Sequence, residues 1–230
     1  APTDPSYTLE GWYREADCIN RWYFKSDIVT EDIILYAKWT PADLTGTVTI
    51  TGAAKYGETL TAVVSDDNNT GTLSYQWKRG NAEISGADSA SYTLTADDGG
   101  ELISCVVISS EQSGSLKSEP TAAVGKADAP ALTDKSTSDV YTLTGEQTVS
   151  VSDRMPADAG TLTYTKGTET DANGIISQWS VDPDGTVSYT LSGNGAAGDT
   201  ATLPVIISSE NYEDSTVNVV ITLTEAPVVN

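Results

Sequence analysis

The chain has 230 residues, enough for one or two domains of average size or up to three small ones, and 38% of it is hydrophobic. Its 33 acidic and 12 basic side chains leave a formal charge of -21, a field that repels phosphate backbones and anionic lipid, so nucleic acid is not an expected partner. There is no histidine, so Ser-His-Asp and Cys-His arrangements cannot be assembled, and the commonest neutral-pH proton shuttle and metal ligand is missing.

Thr, Ser, Val, Asp and Gly recur in short alternating runs, a texture that suits half-buried strands and predicts an all-β chain. The sequence opens with Ala1-Pro2-Thr3-Asp4-Pro5 and its one methionine is Met155, so an internal fragment or a processed product is expected. No apolar run approaches the roughly 18 residues of a membrane helix, no membrane insertion is expected, and the C-terminus carries no sorting signal. The acidic excess suits an extracellular protein kept in solution by its charge.

A first module is predicted over residues 1–43, ending where Lys38-Trp39-Thr40-Pro41 passes into a polar, proline-bearing joint. Eight of the chain's 17 aromatic residues lie here: Tyr7, Trp12, Tyr13, Trp22, Tyr23, Phe24, Tyr36 and Trp39. Such a cluster could present a flat platform to sugar rings. A unit this small also needs large side chains to make any core, and that reading is preferred.

The run Tyr7-Thr8-Leu9-Glu10-Gly11-Trp12-Tyr13, then Trp22-Tyr23-Phe24, then Val29 to Trp39 with its Leu35-Tyr36-Ala37-Lys38-Trp39 ending, resembles the Listeria/Bacteroides repeat of the internalin B-repeat type. The resemblance implies a small β-grasp-like module of bacterial surface proteins. The leading strand and Asn-Gly-Gly turn of that pattern are not present, so the module is expected to be incomplete. An incomplete sheet leaves an unpaired edge, and residues 1–40 are expected either to be partly disordered or to pair through that edge with another chain.

Residues 44–126 are predicted as a second module. Seven strands are expected, at Val48–Ile50, Thr59–Val64, Leu73–Lys78, Ala82–Ile84, Ser91–Leu94, Leu102–Ser109 and Thr121–Val124, each bounded by turn residues. The count and spacing predict a β-sandwich. Tyr75-Gln76-Trp77, and Asp97-Asp98-Gly99-Gly100 followed by Ile103-Ser104-Cys105, resemble the strand C tryptophan and the approach to strand F of bacterial immunoglobulin-like domains. The resemblance is imperfect: the strand B position lies among Leu60, Thr61, Ala62 and Val63, with no cysteine, and Ile103 stands where a tyrosine is usual. Packing around Trp77 is therefore expected to hold the sandwich, with Cys18 and Cys105 as unpaired thiols in different modules.

Lys126-Ala127-Asp128-Ala129-Pro130-Ala131 has linker composition, and a second Ig-like sandwich is predicted over 127–230. Its expected strands are Val140–Leu143, Thr148–Val151, Leu162–Thr165, Ile175–Val181, Thr186–Leu191, Ala201–Ile207 and Val217–Leu223. Asp182-Pro183-Asp184-Gly185 between two alternating runs predicts a hairpin that places Trp179 and Val181 on the core face, opposite Ile176, Gln178 and Ser180. Gly71-Thr72-Leu73-Ser74-Tyr75 echoes Gly160-Thr161-Leu162-Thr163-Tyr164, and Ile108-Ser109-Ser110-Glu111 echoes Ile207-Ser208-Ser209-Glu210, as though one plan were used twice.

No catalytic, cofactor-binding or metal-binding residues are assigned. Paired carboxylates could in principle act on glycosides, but such enzymes need a deep cleft that modules of about 100 residues rarely supply. Calcium has oxygen donors to choose from at Asp66-Asp67-Asn68-Asn69, Asp97-Asp98 and Asp182-Pro183-Asp184. An EF-hand loop begun at Asp66 puts Gly71 at the correct sixth position but Trp77 where a bidentate glutamate belongs, and the turn-forming habit of Asp, Asn and Gly explains all three clusters. The sequence thus describes tandem Ig-like sandwiches behind a small repeat, with no enzyme activity expected. The two resemblances imply a structural or adhesive segment of a bacterial cell-surface or cell-wall protein, a stalk for a binding domain. Direct binding of a glycan or protein, and service as an accessory segment of a secreted carbohydrate-active enzyme, are the alternatives.

Overall fold

Period-two alternation of apolar side chains builds the sandwiches of the computed structural model, which describes residues 3–65 and 69–226. The chain divides into two units, residues 1–125 and 126–230, and each is all-β.

In the first unit, β1 (Tyr7–Tyr13), β2 (Arg21–Trp22) and β3 (Tyr36–Pro41) form an antiparallel sheet in the order β2-β1-β3, with a bulge between Leu9 and Gly11. The joint after β3 is pinned to the sandwich that follows. Ala42 N–H donates to Ser6 at 2.8 Å, Ser113 N–H to Ala42 at 2.8 Å, and Leu44 N–H to Ser113 at 2.8 Å.

That sandwich is made of β4 (Val48–Thr51), β5 (Thr59–Val64), β6 (Leu73–Arg79), β7 (Ala82–Glu83), β8 (Ser91–Thr93), β9 (Ile103–Ser109) and β10 (Leu116–Lys117). One sheet runs β4-β5-β8 and the other β10-β9-β6-β7, the two-sheet division of an Ig-like domain. Trp77 is fully buried and lies opposite Cys105 in the β6–β9 register, among Leu60, Ala62, Ile103 and Val107. Its indole N–H donates to the Ser89 carbonyl at 2.8 Å, so burial leaves no orphaned donor. Both cysteines are free thiols.

Residues 121–124 do not form the expected final strand. Leu116–Lys117 pairs with β9 in its place, and Val124 makes only a single bridge to Gly99. Val124 is buried, its N–H bonded to Glu101 and its carbonyl to Gly100, so an apolar residue that reads as strand is spent closing the sandwich end.

The second unit comprises β11 (Lys135–Val140), β12 (Glu146–Ser150), β13 (Leu162–Lys166), β14 (Ile176–Val181), β15 (Thr186–Leu191), β16 (Thr200–Ser209) and β17 (Ser215–Thr224). Sheets β11-β17-β16-β13 and β12-β15-β14 enclose a core in which Ala201, Leu203, Val205 and Ile207 of β16 meet Val217, Val219, Ile221 and Leu223 of β17. The first strand lies five residues before its expected start. Val140–Leu143 is a turn closed by Leu143 N–H to Val140 at 2.8 Å, and the polar run from Lys135 pairs in parallel with β17.

The Asp182–Gly185 hairpin forms: Asp182 N–H donates to Thr186 at 2.8 Å, and Gly185 takes φ +82°. Trp179 is buried, as expected. Ile176 also packs on the core, because a bulge between Ile176 and Gln178 resets the alternation.

The two sandwiches share the turn into their third strand. Gly71 and Gly160 both have positive φ, Thr72 N–H donates to the Ser110 hydroxyl at 2.9 Å, and Thr161 N–H donates to the Glu210 carboxylate at 3.0 Å. The Ile-Ser-Ser-Glu echo, by contrast, is out of step by one residue. Leu73 pairs with Ser109 and Leu162 with Ser209, so Ile108 is 49% exposed while Ile207 is fully buried.

Candidate functional site

Nine of the thirteen large hydrophobic side chains that stand exposed among the described residues fall between Tyr7 and Tyr36, which makes the N-terminal sheet and its loop the candidate interaction surface. The aromatic cluster divides. Tyr13 and Trp22 are each 5% exposed and form the small core, whereas Tyr23 and Phe24 are 57% and 69% exposed. Ile19, Ile28, Val29 and Ile34 extend the apolar surface around them. The aliphatic members were not singled out in the sequence; the signal available was the acidic pair Glu31-Asp32 inside the run, which keeps it in water.

Charged motif residues pair across the face of this sheet. Glu10 accepts from the Tyr13 hydroxyl at 3.1 Å and pairs with Lys38 at 2.9 Å, while Lys38 Nζ sits 5.6 Å from the Tyr13 ring centre. The Lys38 contact, then the Tyr13 hydrogen bond, hold the Glu10 carboxyl below the ordinary glutamate value. Gly11 leaves room for the Arg21 guanidinium, which would lie 2.7 Å from any added Cβ and donates to the Glu10 carbonyl at 2.7 Å. Arg14 lies 4.9 Å over the Trp22 ring and pairs with Asp27 at 3.6 Å, and Phe24 meets Trp22 edge to face at 6.4 Å. Arg14, Arg21 and Lys38 are engaged within the sheet, so around Tyr23 and Phe24 the surface offers a partner chiefly aromatic and aliphatic area.

The acidic clusters go elsewhere. Asp66, Asp67 and Asn68 lie outside the described residues. Asp98 is fully buried and its carboxylate is taken up by four groups: Arg79 Nε at 2.8 Å, the Tyr92 hydroxyl at 2.8 Å, and Thr95 N–H and hydroxyl at 2.8 and 3.0 Å. Asp184 caps its own turn by accepting from Thr186 N–H at 2.9 Å. No three Asp, Glu or Cys side chains gather as metal ligands among the described residues.

Comparison with known proteins agrees with this division. The Listeria-Bacteroides repeat domain model matches residues 1–38. A chain from Evansella cellulosilytica, named as a membrane protein, is 33% identical over 67 residues, covering 26% of this chain and a tenth of that one. In this chain, no helix among the described residues is long and apolar enough to cross a membrane. Solved structures that align include Drosophila N-cadherin EC1-3 (13% identity, 98% of this chain and 91% of that one, TM-score 0.33). Chicken CNTN1 FN1-FN3 aligns over 80% and 67% at 14% identity and TM-score 0.33. Scores of this size leave the fold to be read from the strand order itself. Residues 1–38 thus match the Listeria-Bacteroides repeat, and two Ig-like β-sandwiches follow them.

Proposed function

We propose that the chain is a non-catalytic structural and adhesive segment of a bacterial cell-surface protein, organised as modules 1–43, 44–126 and 127–230. In this reading the two sandwiches act as spacers, and the repeat supplies the surface that meets a partner. The observation that carries the reading is the repeat match at residues 1–38, a surface-protein module, at the head of sandwiches that close over their own cores. The parent protein places the segment outside the cell. Antibody raised against the chain should label intact cells of the source bacterium, and protease added to those cells should remove the label. Labelling only after lysis would overturn the proposal.

The exposed Tyr23 and Phe24 favour a second, compatible role in direct binding of a glycan or a host or environmental protein. Tyr23→Ser with Phe24→Ser should leave melting within about 0.5 kcal/mol of wild type, as exposed substitutions do, and abolish binding on a glycan or extracellular-matrix panel. Equal binding by wild type and variant would remove the patch from the interface.

A further inference from the structure

The first strand of the second unit, β11, lies beside its last strand, β17, and runs parallel to it: Lys135 faces Val219 and the register holds through Val140 and Thr224. Tension entering at the N-terminal side of β11 and leaving at the C-terminal end of β17 pulls these neighbours in opposite directions along their length. The hydrogen bonds of the six-residue ladder then share the load and must fail together. An antiparallel or same-end pull would open them one at a time, each worth only about 1 kcal/mol.

Side chains fasten both ends of the ladder. At the start, the Asp134 carboxylate accepts from Asn218 N–H at 3.0 Å and from the Asn218 side-chain amide at 3.3 Å. At the finish, Tyr141 N–H donates to the Thr224 carbonyl at 3.1 Å, and the Thr224 hydroxyl donates to the Asp139 carbonyl at 3.2 Å. The Asp139 side chain reaches across the core to accept from the hydroxyl of Tyr189, on the opposite sheet. Ahead of the ladder, Ala127 N–H donates to Asn211 at 2.8 Å, Glu213 N–H donates to Ala127 at 2.9 Å, and Lys126 Nζ donates to the Ser209 carbonyl at 2.6 Å.

From this geometry we infer that the second unit is a tension-bearing clamp that resists end-to-end extension and yields when loaded sideways. The matching connection in the first unit is much shorter. The parallel contact of residue 55 with residue 125 is a single bridge, with two hydrogen bonds, Gly125 N–H to Ala54 and Tyr56 N–H to Gly125, both at 2.9 Å. The biological use of the clamp rests on the spacer reading; its mechanics do not.

Single-molecule extension of the full chain in two geometries tests the inference. In one, handles are fused to the two termini. In the other, the C-terminal handle moves to exposed Asp214, through Asp214→Cys with Cys18→Ser, so that β11 and β17 are pulled from the same end. The first unit is loaded identically in both and serves as the internal reference. The rupture that frees the second unit, roughly 300 Å of chain in the terminal geometry and less with the handle at Asp214, should need at least about twice the force in the terminal geometry, because six bonded positions share the load rather than one. Asp134→Ala should lower that force in the terminal geometry. Equal forces in the two geometries would overturn the clamp while leaving the surface spacer standing, whereas absence from the cell surface would remove the spacer and leave the force difference intact.

Discussion

Replacing Asp98 by alanine should cost the first sandwich about 3 kcal/mol. The carboxylate is fully buried, and Arg79, Tyr92 and Thr95 all donate to it. Breaking a buried pair on one side typically costs about 3–5 kcal/mol, and the lower end applies because Arg79 keeps 29% of its side chain in solvent and can be rehydrated. For a domain of roughly 80 residues, that loss lowers the melting temperature by at least about 12 °C. Guanidinium titration of the full chain measures it, read from the fluorescence transition that a Trp77→Phe substitution removes. The pH dependence separates the ion pair from simple packing. Burial pushes the Asp98 carboxyl up, but the hydrogen bonds from Thr95, Tyr92 and Arg79 outweigh it and hold the value below the ordinary 3.8. The contribution is therefore present in full above about pH 4 and is lost as pH falls through the depressed folded value. In Arg79→Met one of the donors that hold the folded value down is gone, so that value moves toward the unfolded one and the loss of stability on acidification should be smaller than in the wild type. Arg79→Met combined with Asp98→Leu should recover much of the loss, since no buried charge is left unpaired. A cost below about 1 kcal/mol for Asp98→Ala, the worth of a surface pair, or a wild-type pH profile in Arg79→Met, would refute the reasoning.

Trp77→Ala should remove about 3–5 kcal/mol from the same sandwich, seen as a lower denaturation midpoint with an unchanged slope, because the cavity cannot refill and the Ser89 carbonyl loses its donor. Burial pushes the Cys105 thiol up to about 11, so thiol titration of the native protein near pH 8 should count Cys18 alone, and Cys105 should react only after unfolding. Gly185→Ala should destabilise the second unit by about 1 kcal/mol or more in thermal melts. Its φ is +82°, and the added Cβ would lie 2.9 Å from the Tyr164 ring.

The sequence is most legible where one local rule acts alone. Asp182 to Gly185 marks its hairpin because proline and glycine fix the turn irrespective of the rest of the fold, and β16 and β17 are visible as the apolar-rich runs Ala201–Ile207 and Val217–Leu223, which the structure extends to ten residues each. β11 is hidden, since Lys-Ser-Thr-Ser-Asp-Val carries one large apolar residue and becomes a strand only because β17 offers it an edge. Asp98 is hidden for a related reason: beside Asp97 it reads as a turn residue, and its role depends on Arg79, nineteen positions earlier. The Thr95 spacing of three, a capping-box signature, was the local clue. The one-residue slip in the Ile-Ser-Ser-Glu echo shows the limit of matching letters, because parity decides which isoleucine is buried. In the repeat, Gly11, Glu10 and Lys38 are recognisable as motif letters, while the exposure of Ile28 and Ile34 follows from what the three-stranded sheet leaves uncovered.

The pairing of Trp77 with an unbridged Cys105 has a consequence for where such a chain can mature. Its sandwiches need no oxidant to reach their native state and have no cross-link for a reductant to cut. The two sandwiches can therefore fold in air or in an oxygen-free, sulfide-rich habitat alike, and their stability does not depend on the redox state around them.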